Sequence, residues 1–413
     1  MKKTALYLLG YLYVALFTLV SCSGEREELG EKQEPVLVKV PIHIGQMPME
    51  TKNALPGTRS TMPMGPEQEN PMRTLAVIQF DSEGNMLEIN QDNLTDHPHY
   101  HFMDLTSPDN PSGVINASLD NVTLFSSENR TTRVCLIANE RKEGIDSLLW
   151  NKQENRRLLW NEFRIRTIEI PYKLPEKGND QDSLGHVREI YMYGHYEGEL
   201  KRNESGSPEV GNGQQLSISL ARVIARVEMN VKLGAGISIP KGYRIFFGMY
   251  NVEQSTYLVP GAAKFLSDSR KHNHITFAPV DRTEGLSETA STYYFYMAPH
   301  IVQDKRSNVT YFAVWCVPES DESGKVTGQR LQEDKINAET NGTQPRYPHV
   351  QILMCNDPLT EGDSPSAEGA FWLNRNSIYH VNLTLTYKDE NTAATRSVTD
   401  GEYVINLKQL MKD

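Results

Sequence analysis

The chain has 413 residues, 38% hydrophobic and 23% charged, with a formal net charge of -11. That length suffices for two ordinary domains with separate cores, and the acidic balance argues against a nucleic-acid partner, whose phosphates need a basic footprint. Twenty-two prolines and 28 glycines point to many turns and hence to β structure.

Met1-Lys2-Lys3 is a short basic region, and an almost wholly apolar run from Thr4 to Val20 follows it. Leu19-Val20-Ser21-Cys22 then completes a lipoprotein signal, in which a small residue precedes the cysteine whose thiol takes the lipid. The run is too short and too neatly terminated for a permanent span. Residues 1–21 are therefore expected to be a removed signal. Residues 22–35, beginning Cys22 and continuing SGEREELGEKQE, are expected to be a lipidated acidic tether that cannot bury apolar area.

Val36, Val38, Val40, Ile42 and Ile44 alternate on one face, as in a half-buried strand. Pro41 lacks an amide donor, so this strand must lie at an edge or leave that amide side free. Residues 45–74 show no periodicity and make a long loop with Gly57-Thr58-Arg59-Ser60 at its centre, a basic site suited to proteolysis. Strands are expected at 75–80, 122–125, 132–138, 168–172, 187–193 and 216–220, with a turn at 81–85. The spacing of Leu148, Leu149, Leu158, Leu159 and two tryptophans predicts a helix over 142–164.

The composition shifts to ELKRNESGSPEVGNGQQ between Glu199 and Gln215, which marks the expected domain boundary. Further strands are expected at 222–233, 244–250, 293–297, 310–317, 350–354 and 379–387, with 319–346 as a charged loop. At the C-terminus Tyr403, Ile405 and Leu407 alternate again. The spacing predicts a β-sandwich in each half.

No P-loop, dinucleotide-binding glycine fingerprint, GxSxG or HExxH occurs, so no catalytic residue and no cofactor are expected. His97, His99 and His101 would share a face of an extended segment, but Pro98 disturbs a strand there and no metal site is expected. Tyr191, Tyr193 and Tyr196 are expected to pack in or on a sheet rather than form a sugar platform. Cys135 reads as a small core residue; Cys316 and Cys355 could pair. Asp146-Ser147-Leu148 and Asp182-Ser183-Leu184 resemble a bacterial O-glycosylation motif, a three-residue match that arises easily by chance, and the Asn121 and Asn308 sequons carry no glycosylation meaning behind a bacterial lipoprotein signal.

Five stretches in order resemble one family: LAVIQFDSEGNM (75–86), RVCLIANE (133–140), YMYGH (191–195), SLARVIARVEMNVKL (219–233) and WLNRNSIYHVNLTL (372–385). They resemble the fimbrillins, the type V pilin subunits of Bacteroidales. The resemblance implies two transthyretin-like β-sandwich domains in tandem with a few short helices, over residues 60–210 and 211–413. It also implies export as an outer-membrane lipoprotein through Cys22, cleavage by an Arg-specific protease, and assembly with other fimbrial subunits by strand exchange, serving adhesion.

On this reading residues 36–59 form a propeptide. Val36, Val38, Val40, Ile42 and Ile44 supply its placeholder strand, and the cut falls between Arg59 and Ser60. Tyr403, Ile405 and Leu407 belong to the donor strand near 401–410. Arg26 and Arg73 are alternative cut sites. A surface lipoprotein that binds glycan or host ligands through its loops without polymerising is the alternative function. Arg375-Asn376 is expected to be a turn device, with Asn376 bonding backbone and Arg375 pairing locally.

Overall fold

Strands of alternating apolar and polar residues make up most of the molecule, arranged in three principal sheets with four short helices among the described residues. The computed structural model describes residues 36–48, 50–52, 71–91, 97–172, 187, 189–202, 208–210, 215–261, 274–299, 309–355, 373–387, 396–397 and 402–411. Cys22, Arg26, Arg59, Ser60, Asp96, Asp182 and Asn308 lie outside the described residues. The described strands belong to one compact unit, Leu37–Asp413.

The first sheet has seven strands, numbered here by place in the chain. Its order is β4 (Tyr100–Asp104), β3 (Thr74–Phe80), β6 (Thr132–Ala138), β10 (Met192–Gly198), β13 (Leu216–Arg222), β1 (Leu37–Gln46) and β5 (Ala117–Phe125). One face buries Val40, Ile42 and Ile44 of β1 with Val77, Leu136 and Ile218. Each such fully buried side chain is worth about 1.5–3 kcal/mol. The two ends of this sheet meet. The buried Gln79 amide of β3 donates from Nε2 to Phe125 O (2.8 Å) and accepts from Phe125 N at Oε1 (2.7 Å). His101 Nε2 of β4 donates to Thr123 O (3.0 Å). These side chains stand where another strand would, so the Thr123–Phe125 end of β5 presents paired rather than bare backbone on its outer side.

From β13 the chain passes through Val223 and Ile224 into β14 (Ala225–Leu233), so the strand expected over 222–233 is broken where the chain changes sheets. The second sheet runs β18 (Ser291–Met297), β14, β23 (Ser377–Thr386), β25 (Glu402–Asn406), β24 (Arg396–Ser397), and β2 (Glu50–Lys52) also pairs with β23. The third runs β17 (His274–Asp281), β15 (Tyr243–Glu253), β19 (Tyr311–Pro318), β22 (Val350–Leu353). Val227, Val381 and Leu383 of the second sheet share one core cluster with Phe247 and Val314 of the third, and the Phe295 and Phe312 rings meet at 4.6 Å between centroids. That is a β-sandwich. Small ladders complete the chain: β7 (Trp150–Asn151) with β8 (Arg156–Arg157), β9 (Thr167–Glu169) with β16 (Ser255–Tyr257), β11 (Leu200–Arg202) with β12 (Pro208–Val210), and β20 (Ser320–Asp321) with β21 (Gly324–Lys325).

Two sequence expectations fail here for local reasons. The helix expected over 142–164 is two helices, α1 (Lys142–Leu148) and α2 (Trp160–Phe163), with the β7–β8 hairpin between them. Asn151 Oδ1 accepts from the amides of Gln153 (3.1 Å) and Glu154 (3.2 Å), and Asn155 takes φ 51°. Side-chain turn chemistry outcompetes the helix there. Conversely, the loop expected over 319–346 contains a 14-residue helix, α3 (Gly328–Asn341). Thr327 Oγ1 caps it by accepting from Arg330 N (3.3 Å), and Gly342 ends it at φ 62°. Leu331, Lys335 and Ala338 form its buried face. Lys335 Nζ lies 4.4 Å from the Tyr250 ring centroid and also pairs with Glu339, which explains a buried lysine.

Asp321 anchors this helix to its surroundings. Its carboxylate accepts from the Tyr347 hydroxyl, Arg330 Nη2 (2.6 Å), Arg346 Nη2 (2.9 Å) and Ser323 N (2.8 Å). The Tyr347 hydrogen bond leads in holding its pKa at about 2, below the ordinary 3.8. A depressed folded pKa stabilises the protein above the ordinary value, and that stability is lost as pH falls through the folded value. The urea midpoint should therefore fall more between about pH 4 and about pH 2 in the parent than in Asp321→Asn; equal pH profiles would deny the role of Asp321.

Candidate functional site

The first strand among the described residues lies inside a sheet rather than at an edge. β1 runs parallel to β13, with Ile42 opposite Leu216 and Ile44 opposite Ile218, and antiparallel to β5, with Val38 opposite Leu124 and Val40 opposite Val122. Val38, Val40, Ile42 and Ile44 are buried, whereas Val36 precedes the strand and is exposed. Val36 is therefore not part of this buried row. Pro41 falls at a register shift between Val40 and Ile42 and enters neither ladder, so its missing N–H costs no strand bond. The free-amide expectation, not the edge expectation, describes it.

Two distant side chains hold the end of β1. Arg222, 1% exposed, donates from Nη2 to Gln46 Oε1 (2.8 Å) and from Nη1 to Met47 O (3.4 Å). Asn376, also buried, donates from Nδ2 to Pro48 O (2.9 Å) and accepts from Arg222 N at Oδ1 (3.2 Å). Its own amide donates to Ile224 O (2.8 Å), and its φ of 49° is a left-handed conformation that Asn tolerates better than most residues. Beyond this clamp β2 pairs in parallel with β23, Glu50 opposite Ser377. The N-terminal segment thus closes onto both the first and the second sheet.

Arg375 behaves differently from the expected local pairing. Its Nη1 donates to Leu258 O (2.8 Å), 117 residues away, while Nε and Nη2 are shut from solvent without a partner. Burial lowers its pKa to about 10, and Tyr193 opposes that shift.

Among the alternative cut sites, Arg73 has its backbone tied on both sides. Its amide donates to Asn139 Oδ1 (2.7 Å), its carbonyl accepts from Leu105 N (2.7 Å), and neighbouring Met72 bridges Val114. A protease needs an extended, released segment, so cutting at Arg73 requires local unfolding.

At the other end β25 lies parallel to β23, Leu383 opposite Tyr403 and Leu385 opposite Ile405. The expected alternation stops there. Asn406 Oδ1 accepts from Lys408 N (3.0 Å) and starts α4 (Leu407–Leu410), so Leu407 is helical rather than the third residue of a strand. Ile405, Leu407 and Leu410 are all buried.

The histidines diverge rather than converge: His97 lies 3.0 Å from Asp146 and 2.8 Å from the Tyr100 hydroxyl, His99 faces Glu88 at 3.7 Å, and His101 closes the sheet seam. Tyr193 is buried with its hydroxyl on Cys135 Sγ (3.4 Å), and Tyr196 donates to Glu199 O (2.9 Å). Cys316 and Cys355 do not pair with each other: both are buried, in different core clusters. The sequence reading missed the clamp. Arg222 and Asn376 lie within two of the stretches that carried the resemblance, yet nothing local tells that both reach residues 46–48.

No protein-family model matches the chain, and no curated protein matches it. Solved structures do resemble it. Three of these are fimbrial proteins. A tip fimbrial protein from Porphyromonas gingivalis with C-terminal truncation is 12% identical, with 84% of this chain and 94% of that one covered, at a TM-score of 0.44. A fimbrilin from Porphyromonas gingivalis W83 is 12% identical, covering 89% and 96%, at 0.41. A fimbrial assembly protein from Parabacteroides distasonis ATCC 8503 is 12% identical, covering 84% and 92%, at 0.39.

Proposed function

We propose that the chain is a subunit of a cell-surface fimbria, with β1 as a placeholder strand that is cut away and replaced by a strand of a neighbouring subunit. The placement of β1 carries this reading. It is an interior strand at the very start of the described chain, and withdrawing it with the residues up to the cut breaks its own two ladders, the clamp at residues 46–48, the hydrogen bonds of His43 and the short β2–β23 pairing. Gln79 and His101 hold the outer side of β5, so β5 stays beside the gap.

An empty gap would expose apolar side chains and unpaired backbone on β13 and β5, both costly. A strand from another subunit restores those bonds, which is the β-augmentation mode of recognition. A head-to-tail contact that does not close on itself gives a filament. In this account Cys22 carries the lipid of an outer-membrane precursor, the cut falls between Arg59 and Ser60, residues 60–210 and 211–413 are the two domains, and the filament serves adhesion.

Arg59→Ala should leave the full-length lipidated form on the cell and stop its incorporation into filaments, read by immunoblot of sheared surface fractions. Filament incorporation at the parent level would reject cleavage at Arg59.

A further inference from the structure

β18 ends the second sheet on the side away from β25. Among the described strands it pairs only with β14, in an unbroken register from Ala225 opposite Met297 to Val231 opposite Ser291. Its other side is a free row of backbone donors and acceptors, a template for pairing with another chain. The remaining ends of the three principal sheets are blunted. β4 and β5 face each other and are bridged by Gln79 and His101. β24 has two residues and β22 four. β17 carries Pro279 and slips twice in register against β15. β18, by contrast, reads Ser-Thr-Tyr-Tyr-Phe-Tyr-Met, with no charge, no proline and no bulge.

Exposure defines the open part of this edge. Thr292 is exposed, Ser291, Tyr293 and Tyr294 are half-buried, and Phe295, Tyr296 and Met297 are buried. The charged neighbours on the outward face, Arg226 and Glu228 of β14, pair with each other, and Glu228 also meets His380 Nδ1 at 3.2 Å. Two chains that each carry a net charge of -11 repel over most of their surface. An uncharged edge beside internally paired charges is a place where they can meet. We propose that two copies of this chain associate through residues 291–294, paired antiparallel about a two-fold axis at Thr292.

Such an axis preserves the faces of the sheet. Thr292 meets Thr292 of the second copy, Ser291 meets Tyr293 of the second copy, and each side chain keeps the face it already occupies. Backbone groups on both edges gain partners, and Tyr293 gains a cross-strand neighbour. The contact uses the same patch on both copies, so it closes on two. It goes beyond the subunit reading above and does not depend on strand exchange. β14 and β23 separate β18 from β25, and β1 lies in the first sheet. Between filaments, the same contact would join two of them side by side.

The test is made on intact cells that display the full chain. Thr292→Cys should give a disulfide-linked dimer under copper-catalysed air oxidation, because directly opposed residues of an antiparallel pair bring their Cβ atoms within bridging reach. Lys232→Cys, also exposed but on β14 rather than the edge, should give none. Cys135, Cys316 and Cys355 are buried and common to both variants. Thr292→Lys sets two ammonium groups against each other on the axis, and should weaken association of the purified full chain by about tenfold or more in sedimentation. The side-chain bond lost in that variant is the one to Asn230 Oδ1 (2.6 Å), at an exposed position, so the fold stands. Equal dimer from Thr292→Cys and Lys232→Cys, or dimer from neither, overturns the pairing. So does a Thr292→Lys chain that associates like the parent, or a parent that sediments as a monomer up to about 1 mM.

Discussion

Ile42→Asp should lower the unfolding free energy of the uncut protein by about 4 kcal/mol, the scale of an unpaired charge forced into a core plus the lost apolar burial. Ile42 is fully buried on an interior strand, between Leu216 of β13 and Leu119 of β5, so the new carboxylate has no route to water. Urea denaturation of the precursor measures it. The effect should vanish once β1 has been replaced by another strand, because the altered residue is then no longer part of the fold. A loss below about 1 kcal/mol, the range of ordinary surface substitutions, would mean that β1 is not a core strand.

Asn376→Ala should cost about 2–3 kcal/mol in the same assay, by leaving buried backbone groups without partners. Its side chain satisfies Pro48 O and Arg222 N from a 5% exposed position, and alanine offers neither bond. Alanine is also strained at φ 49°, whereas glycine is not. Asn376→Gly should therefore be less damaging than Asn376→Ala by up to about 1 kcal/mol. Glycine and alanine variants of parental stability would show that the clamp contributes nothing.

The strands were legible where burial is one-sided. β1 and β23 announced themselves by strict alternation, because a two-residue period must place apolar side chains on one face. Asn376 was legible as a turn residue from Asn-Arg-Asn-Ser alone. Its partner was not, since Pro48 is 328 residues away in sequence, and Gln46 is 176 residues from Arg222. No local pattern encodes such a meeting.

The helix errors have a different origin. In 142–164 the leucine and tryptophan spacing fitted a helix, but Asn151 and Asn155 supply competing turns. In 319–346 the charge content masked a helix whose Thr327 cap, Gly342 terminus and Leu331/Lys335/Ala338 spacing were all present in the sequence. Leu407 followed the alternation of Tyr403 and Ile405 but was captured by the Asn406 cap.

The central claim is that β1 is temporary. The N-terminal residue of this protein, recovered from filaments sheared off the cell surface, tests it most directly. Ser60 at the N-terminus, with β1 gone, is the predicted result. A blocked Cys22 at the N-terminus of filament-borne protein, with β1 still attached, would contradict it.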